Sequence, residues 1–143
     1  MHRTALLLAL IVPGLLAAAA APPLETTEQT RALCARSAAA FAEGDSDAAF
    51  AALAPYWPVS RAELDALAAQ TTAQLAGVAA RFGAPLGHEH IRSTGVGTSL
   101  VEHTHLVKFE RHAVRLSCRF YRPDAHWLVN SVSWDDKINE LFE

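Results

Sequence analysis

Near residue 87 the spacing of apolar side chains changes from three-and-four to two, and this change constrains the fold more than any other feature of the chain. Before it the sequence is rich in alanine, with apolar residues on one side of each helical turn. After it β-branched and aromatic residues alternate with polar ones. Helices followed by strands give an α+β class, in which N-terminal helices cover one face of a four-stranded antiparallel sheet.

Three helices are predicted in the first part. Thr26 or Thr27 caps one whose Leu33, Cys34, Ser37, Ala38 and Phe41 share a side, and Gly44 ends it. Asp45 and Ser46 are cap candidates for a shorter helix carrying Ala49, Phe50 and Leu53, which Pro55 stops. Ser60 and Glu63 form a capping box ahead of Leu64, Leu67, Thr71, Leu75, Val78 and Phe82, with Gly83 and Pro85 closing the run.

Four strands are predicted at about 88–94, 99–110, 112–122 and 126–134. Their links, Gly95-Val96-Gly97-Thr98, the step near Arg111 and Arg122-Pro123-Asp124-Ala125, are too short for anything but antiparallel hairpins. On the third strand Val114, Leu116, Cys118 and Phe120 alternate with Arg115, Ser117, Arg119 and Tyr121, as in a sheet with one covered face. Residues from Asp135 to Phe142 read as a short helical tail with Ile138, Leu141 and Phe142 turned inward.

The first twenty residues have the layout of a secretion signal: a short basic start at His2 and Arg3, an apolar stretch, then an alanine run. Cleavage after Ala20 would leave residues 21–143 as one α+β domain, exported to a periplasmic or extracellular location. The apolar stretch is broken by Pro13 and Gly14 and falls short of the ~20 residues of a membrane span, so no permanent membrane anchor is expected after cleavage. The whole chain carries a formal charge of -3 with histidines neutral. Loss of Arg3 makes it more acidic, which gives no electrostatic basis for binding nucleic acid. Cys34 and Cys118 would meet an oxidising compartment, where they either form a disulfide or serve as small buried hydrophobes.

Several stretches carry a resemblance. Phe41-Ala42-Glu43-Gly44-Asp45, Ala49-Phe50-Ala51-Ala52-Leu53, and the closing Phe120-Tyr121-Arg122-Pro123 with Trp127-Leu128-Val129-Asn130-Ser131 resemble the nuclear-transport-factor-two-like or cystatin-like superfamily, in particular its small exported bacterial members. The likeness runs from about Thr27 to Phe142. It implies a curved antiparallel sheet wrapped around helices as a cone whose interior can hold a ligand, often in a homodimer. Its motifs are packing and turn motifs, so no catalytic residue and no cofactor is carried over with it.

Histidines supply the most distinctive polar pattern. His88 and His90, and likewise His103 and His105, lie two apart and would share a strand face. With the turn centred on Val96-Gly97, His90 faces His103 and His88 faces His105, a four-imidazole group suited to a metal ion or to protonation near pH 6. The next hairpin, with Phe109 opposite Val114, sets His105 beside Cys118. A one-residue slip would send the pairs to opposite faces. The other use of these residues is plain: solvated histidines on an edge strand and polar niches for the remaining two.

Asp135 and Asp136 are read as helix-cap candidates before they are read as paired catalytic carboxylates. Glu102, Lys108, Arg115 and Arg119 form a cross-strand charge ladder on the outer face. Leu106, Tyr121, Leu128, Val132 and Trp134 would add an apolar surface there, suited to a second copy of the chain. A bulge near Asn130-Ser131 would instead turn Val132 and Trp134 inward. The expected function is a non-enzymatic exported domain binding a small apolar ligand or an envelope protein partner. The alternatives are an isomerase- or hydrolase-type enzyme using the cone, and a metal-binding module built on His88, His90, His103 and His105.

Overall fold

The computed structural model describes residues 20–143; the expected secretion signal, apart from Ala20, lies outside the described residues. Three helices, α1 (Thr27–Ala42), α2 (Ser46–Leu53) and α3 (Arg61–Phe82), precede four strands, β1 (Pro85–Val96), β2 (Leu100–Phe109), β3 (Ala113–Tyr121) and β4 (Leu128–Asp135). A 3₁₀ turn follows α2 at Ala54–Tyr56 and another closes the chain at Ile138–Phe142. The sheet is antiparallel in the order β1-β2-β3-β4, as consecutive short hairpins require.

Local chemistry sets the helix ends. Thr26 and Gln29 form a capping box on α1, Asp45 accepts from the Ala48 N–H at the start of α2, and Ser60 and Glu63 form the box on α3. Gly83 ends α3 at φ 89°, a conformation that favours glycine, and an added Cβ there would also collide with the Glu110 carboxylate. That crowding has a purpose: Glu110 accepts from the Ala84 N–H, and the Arg111 N–H donates to the Phe82 carbonyl, so the β2–β3 hairpin is tied to the end of α3.

Helix α1 lies across the inner face of the sheet. Leu33, Cys34, Ala38 and Phe41 are buried against a core that includes Val107, Val114, Leu116, Cys118, Phe120 and Val129. Cys34 and Cys118 are disulfide-bonded, with Cα atoms 5.9 Å apart, and fix helix to sheet at the centre of this layer. The bond closes a loop spanning 84 positions, for which the chain-entropy model gives a stabilisation of about 4 kcal/mol.

The sequence reading of the tail is corrected. Phe142 is 90% exposed, while Ile138 and Leu141 are only partly covered. Asp135 ends β4 and receives Arg115 through two hydrogen bonds, with the Lys137 N–H as a further donor. The closing turn is drawn over the outer face, where Glu140 also bonds Arg115.

Candidate functional site

The β1–β2 hairpin closes around residues 97–99, with Val96 opposite Leu100 and Gly97 at φ 59°. The expected centre at Val96-Gly97 was early, which shifts the register by an odd number of residues and puts Ser93 opposite His103. A bulge at Ile91 then restores the phase, so His90 faces His105 and His88 faces Val107. The expected pairs, His90 with His103 and His88 with His105, are therefore replaced. His103, and not His105, stands opposite Cys118, because β2 and β3 are offset by two residues from the anticipated register. All four imidazoles nevertheless share the inner face, with Ser93 among them.

Hydrogen bonds join them as two pairs, His90 with His103 through Ser93 and His88 with His105. Thr30 Oγ1 of α1 lies 2.8 Å from His103 Nε2, Ser93 Oγ lies 2.7 Å from His103 Nδ1, and His90 Nε2 lies 3.0 Å from the same Ser93 oxygen. His88 Nδ1 and His105 Nδ1 are 3.2 Å apart. His103 and His105 are each 1% exposed. Burial, followed by the neighbouring His90, pushes His103 down to about 4; burial, followed by His88, does the same for His105. Both are neutral at pH 7. Among the described residues His105 Nε2 is buried with no partner. A proton on its Nδ1, donated to His88, leaves only a bare acceptor in the core, which costs less than an orphaned N–H.

This arrangement limits the available chemistry. His103 uses both ring nitrogens in hydrogen bonds, and His105 keeps only its buried Nε2 free. No group of three or more histidine, cysteine or acidic side chains with metal-holding geometry occurs among the described residues. Ser93 and His103 have the spacing of a nucleophile and base. The third partner is the Thr30 hydroxyl, which supplies no charge to stabilise an imidazolium. Sequence reasoning missed Ser93 and Thr30. Strict alternation puts Ser93 on the other face from His88 and His90, and nothing in the sequence announces the Ile91 bulge.

On the outer face, the alternative with a bulge near Asn130-Ser131 is the one the structure has. One extra residue, Asn130, bulges between the Arg119–Ser131 and Phe120–Val129 pairs. Val132 and Trp134 are thereby turned inward against the core, and the Trp134 ring meets Phe41 edge-on at 5.3 Å. Leu106, Tyr121 and Leu128 remain outside. Tyr121 and Leu128 belong to an apolar rung with Leu100 and Val96, which crosses all four strands at the hairpin end. Charge pairs occupy much of the remaining face: Arg119 with Glu102 at 2.6 Å, Lys108 with Glu89 at 3.7 Å, and Arg115 with Asp135.

The inward turn of Trp134 builds a cleft. Helix α3 reaches the sheet at its C-terminal end, leaving a cleft of about 420 Å³ lined by Val78, Phe82, Val114 and Trp134, with Gln74, Arg81, Asp135 and Asp136 also bordering it. Gly77 is part of the wall, and a Cβ added there would meet nothing within 4 Å. A larger cleft of about 580 Å³ between α2 and α3 is bordered by Asp45, Asp47 and Asp65, the last already paired with Arg61 at 2.7 Å. No family model, curated protein or solved structure matches the chain.

Proposed function

We propose that the chain is an exported, non-catalytic domain that binds a small molecule with an apolar body in the cleft between α3 and the inner face of the sheet. The observation that carries this reading is the lining: two aromatic and two β-branched side chains, Phe82, Trp134, Val78 and Val114, face a space of ligand size with a few polar groups beside it. Gly77 supports it. A mid-helix glycine costs about 1 kcal/mol relative to alanine, and no packing contact compensates here. Its absent side chain keeps the wall open.

The exported location belongs to the same proposal and rests on the layout of the first twenty residues. The cystatin-like likeness belongs to the same proposal and rests on the sequence stretches that carry it. Trp134 supplies the test. A panel of small apolar acids, amines and alcohols is titrated while tryptophan fluorescence is followed, in the natural chain and in Gly77→Leu. A saturable change lost in Gly77→Leu, with the fold intact, supports the proposal; no response to any member, or equal binding by the filled variant, contradicts it.

A further inference from the structure

The outer face of the sheet carries a second depression, on the opposite side from the α3 cleft. Its floor is one rung of short hydroxyl side chains: Thr104, Ser117 and Ser133 stand opposite one another across β2, β3 and β4, and Arg92 completes the rung on β1. The flanking rungs carry long side chains, Glu102 with Arg119 on one side and Arg115 with Asp135 on the other. Short residues between long ones leave a pit of about 190 Å³. Thr104 and Ser117 are buried at its base, their hydroxyls 3.1 Å apart.

The charges around this pit are unevenly committed. Arg119 is held by Glu102 at 2.6 Å, and Arg115 takes both oxygens of Asp135 at 2.6 and 3.0 Å. Among the described residues Arg92 has only the main-chain carbonyl of Leu141, at 3.4 Å. The closing turn also lays the Glu140 carboxylate on Arg115. With Glu140 seated, three guanidinium groups meet three carboxylates. Lifted away, it leaves one positive charge in excess beside a row of hydroxyls, of which Thr104 donates to Glu102 at 3.4 Å and the others can turn toward an oxyanion, where charge-assisted hydrogen bonds are strongest. The turn that carries it is lightly anchored, ending in an exposed Phe142.

We infer that this pit binds a small organic carboxylate, held by Arg92 and Arg115 over the Thr104, Ser117 and Ser133 hydroxyls, and that Glu140 is the built-in occupant such a ligand displaces. The C-terminal turn is then a strap whose release accompanies binding. Asp135 borders both the pit and the α3 cleft, so the test leaves it untouched.

Acetate and succinate are titrated into the ¹⁵N-labelled chain while the arginine Nε–Hε signals are followed. Saturable shifts at Arg92 and Arg115 are expected, with at least tenfold tighter binding in Glu140→Gln and at least a tenfold loss when Arg92→Gln is added. In the natural chain, heteronuclear relaxation of Asn139 to Phe142 should report a loosened tail as the site fills, which a nonspecific counter-ion does not produce. Shifts that never saturate, or affinity unchanged by Glu140→Gln with the tail unmoved, overturn the inference. The pit is separate from the α3 cleft, so Gly77→Leu should leave this titration unchanged whatever becomes of the proposed function.

Discussion

Lowering the pH from 7.0 to 5.5 should weaken the fold through His103 and His105. Both are buried and neutral, with folded values near 4 against 6.5 for the free side chain. A depressed histidine favours the neutral folded state, so its contribution is complete above the unfolded value and is lost as pH falls from 6.5 toward 4. At pH 5.5 an unfolded imidazole is about nine-tenths protonated and the folded one hardly at all, a loss of about 1.2 kcal/mol for each relative to pH 7. The pair together costs about 2.5 kcal/mol, a large part of the 5–15 kcal/mol typical of a domain. The charged and titratable groups around the two rings, His88 and His90 on β1, Arg31 and Glu28 on α1, and Glu102 from the opposite face of β2, are included in those values. Asp135 and Glu63, whose values are lowered by hydrogen bonds from Arg115 and Ser60, lose their contribution only at more acidic pH. Urea unfolding of residues 21–143 reads the effect as a midpoint lower by about 1–2 M. His105→Leu should roughly halve the difference. A midpoint that moves by less than about 0.3 M between the two pH values would refute the burial argument.

Other substitutions probe separate parts of the account. Cys34→Ala with Cys118→Ala should cost about 4 kcal/mol in chemical unfolding; a loss below about 1 kcal/mol would mean that the cross-link does not hold α1 to the sheet. Gly83→Ala meets both a positive φ and the Glu110 carboxylate, so its melting temperature should fall by several degrees, and an unchanged value would contradict the docked hairpin. Gly77→Ala should raise stability by about 0.5–1 kcal/mol, because the added methyl meets open space. The hydrogen-bonded histidine group is expected to be structural, so tag-free protein should hold less than about a tenth of an equivalent of zinc, copper or nickel by elemental analysis; a stoichiometric metal would contradict that reading.

The architecture was legible because each helix announced itself locally. Ser60 with Glu63, Asp45 and Thr26 are caps whose partners lie within one turn, and Phe41, Phe50 and Leu64 mark the buried sides by spacing alone. The residue sets of the faces were less accessible, because two bulges decide them. One extra residue at Ile91 and one at Asn130 reverse the alternation, bringing Ser93 to the histidines and Trp134 to the core. A bulge costs little and is chosen by packing across the whole sheet, so nothing beside Ile91 reveals the first, while the apolar Val132 and Trp134 pointed to the second only as one of two outcomes. The α3 cleft was invisible for a related reason. Gly77, Val114 and Trp134 lie far apart in sequence, and only the way α3 meets the sheet places them around one space.

The most direct test of the binding proposal is native mass spectrometry of the natural protein isolated from the cells that make it, beside Gly77→Leu prepared in the same way. The account predicts an added mass on the order of a few hundred daltons, suited to a cleft of this size, present on the natural chain and missing from the variant. A natural chain that is bare in every preparation, or a variant that retains the same adduct, would contradict it.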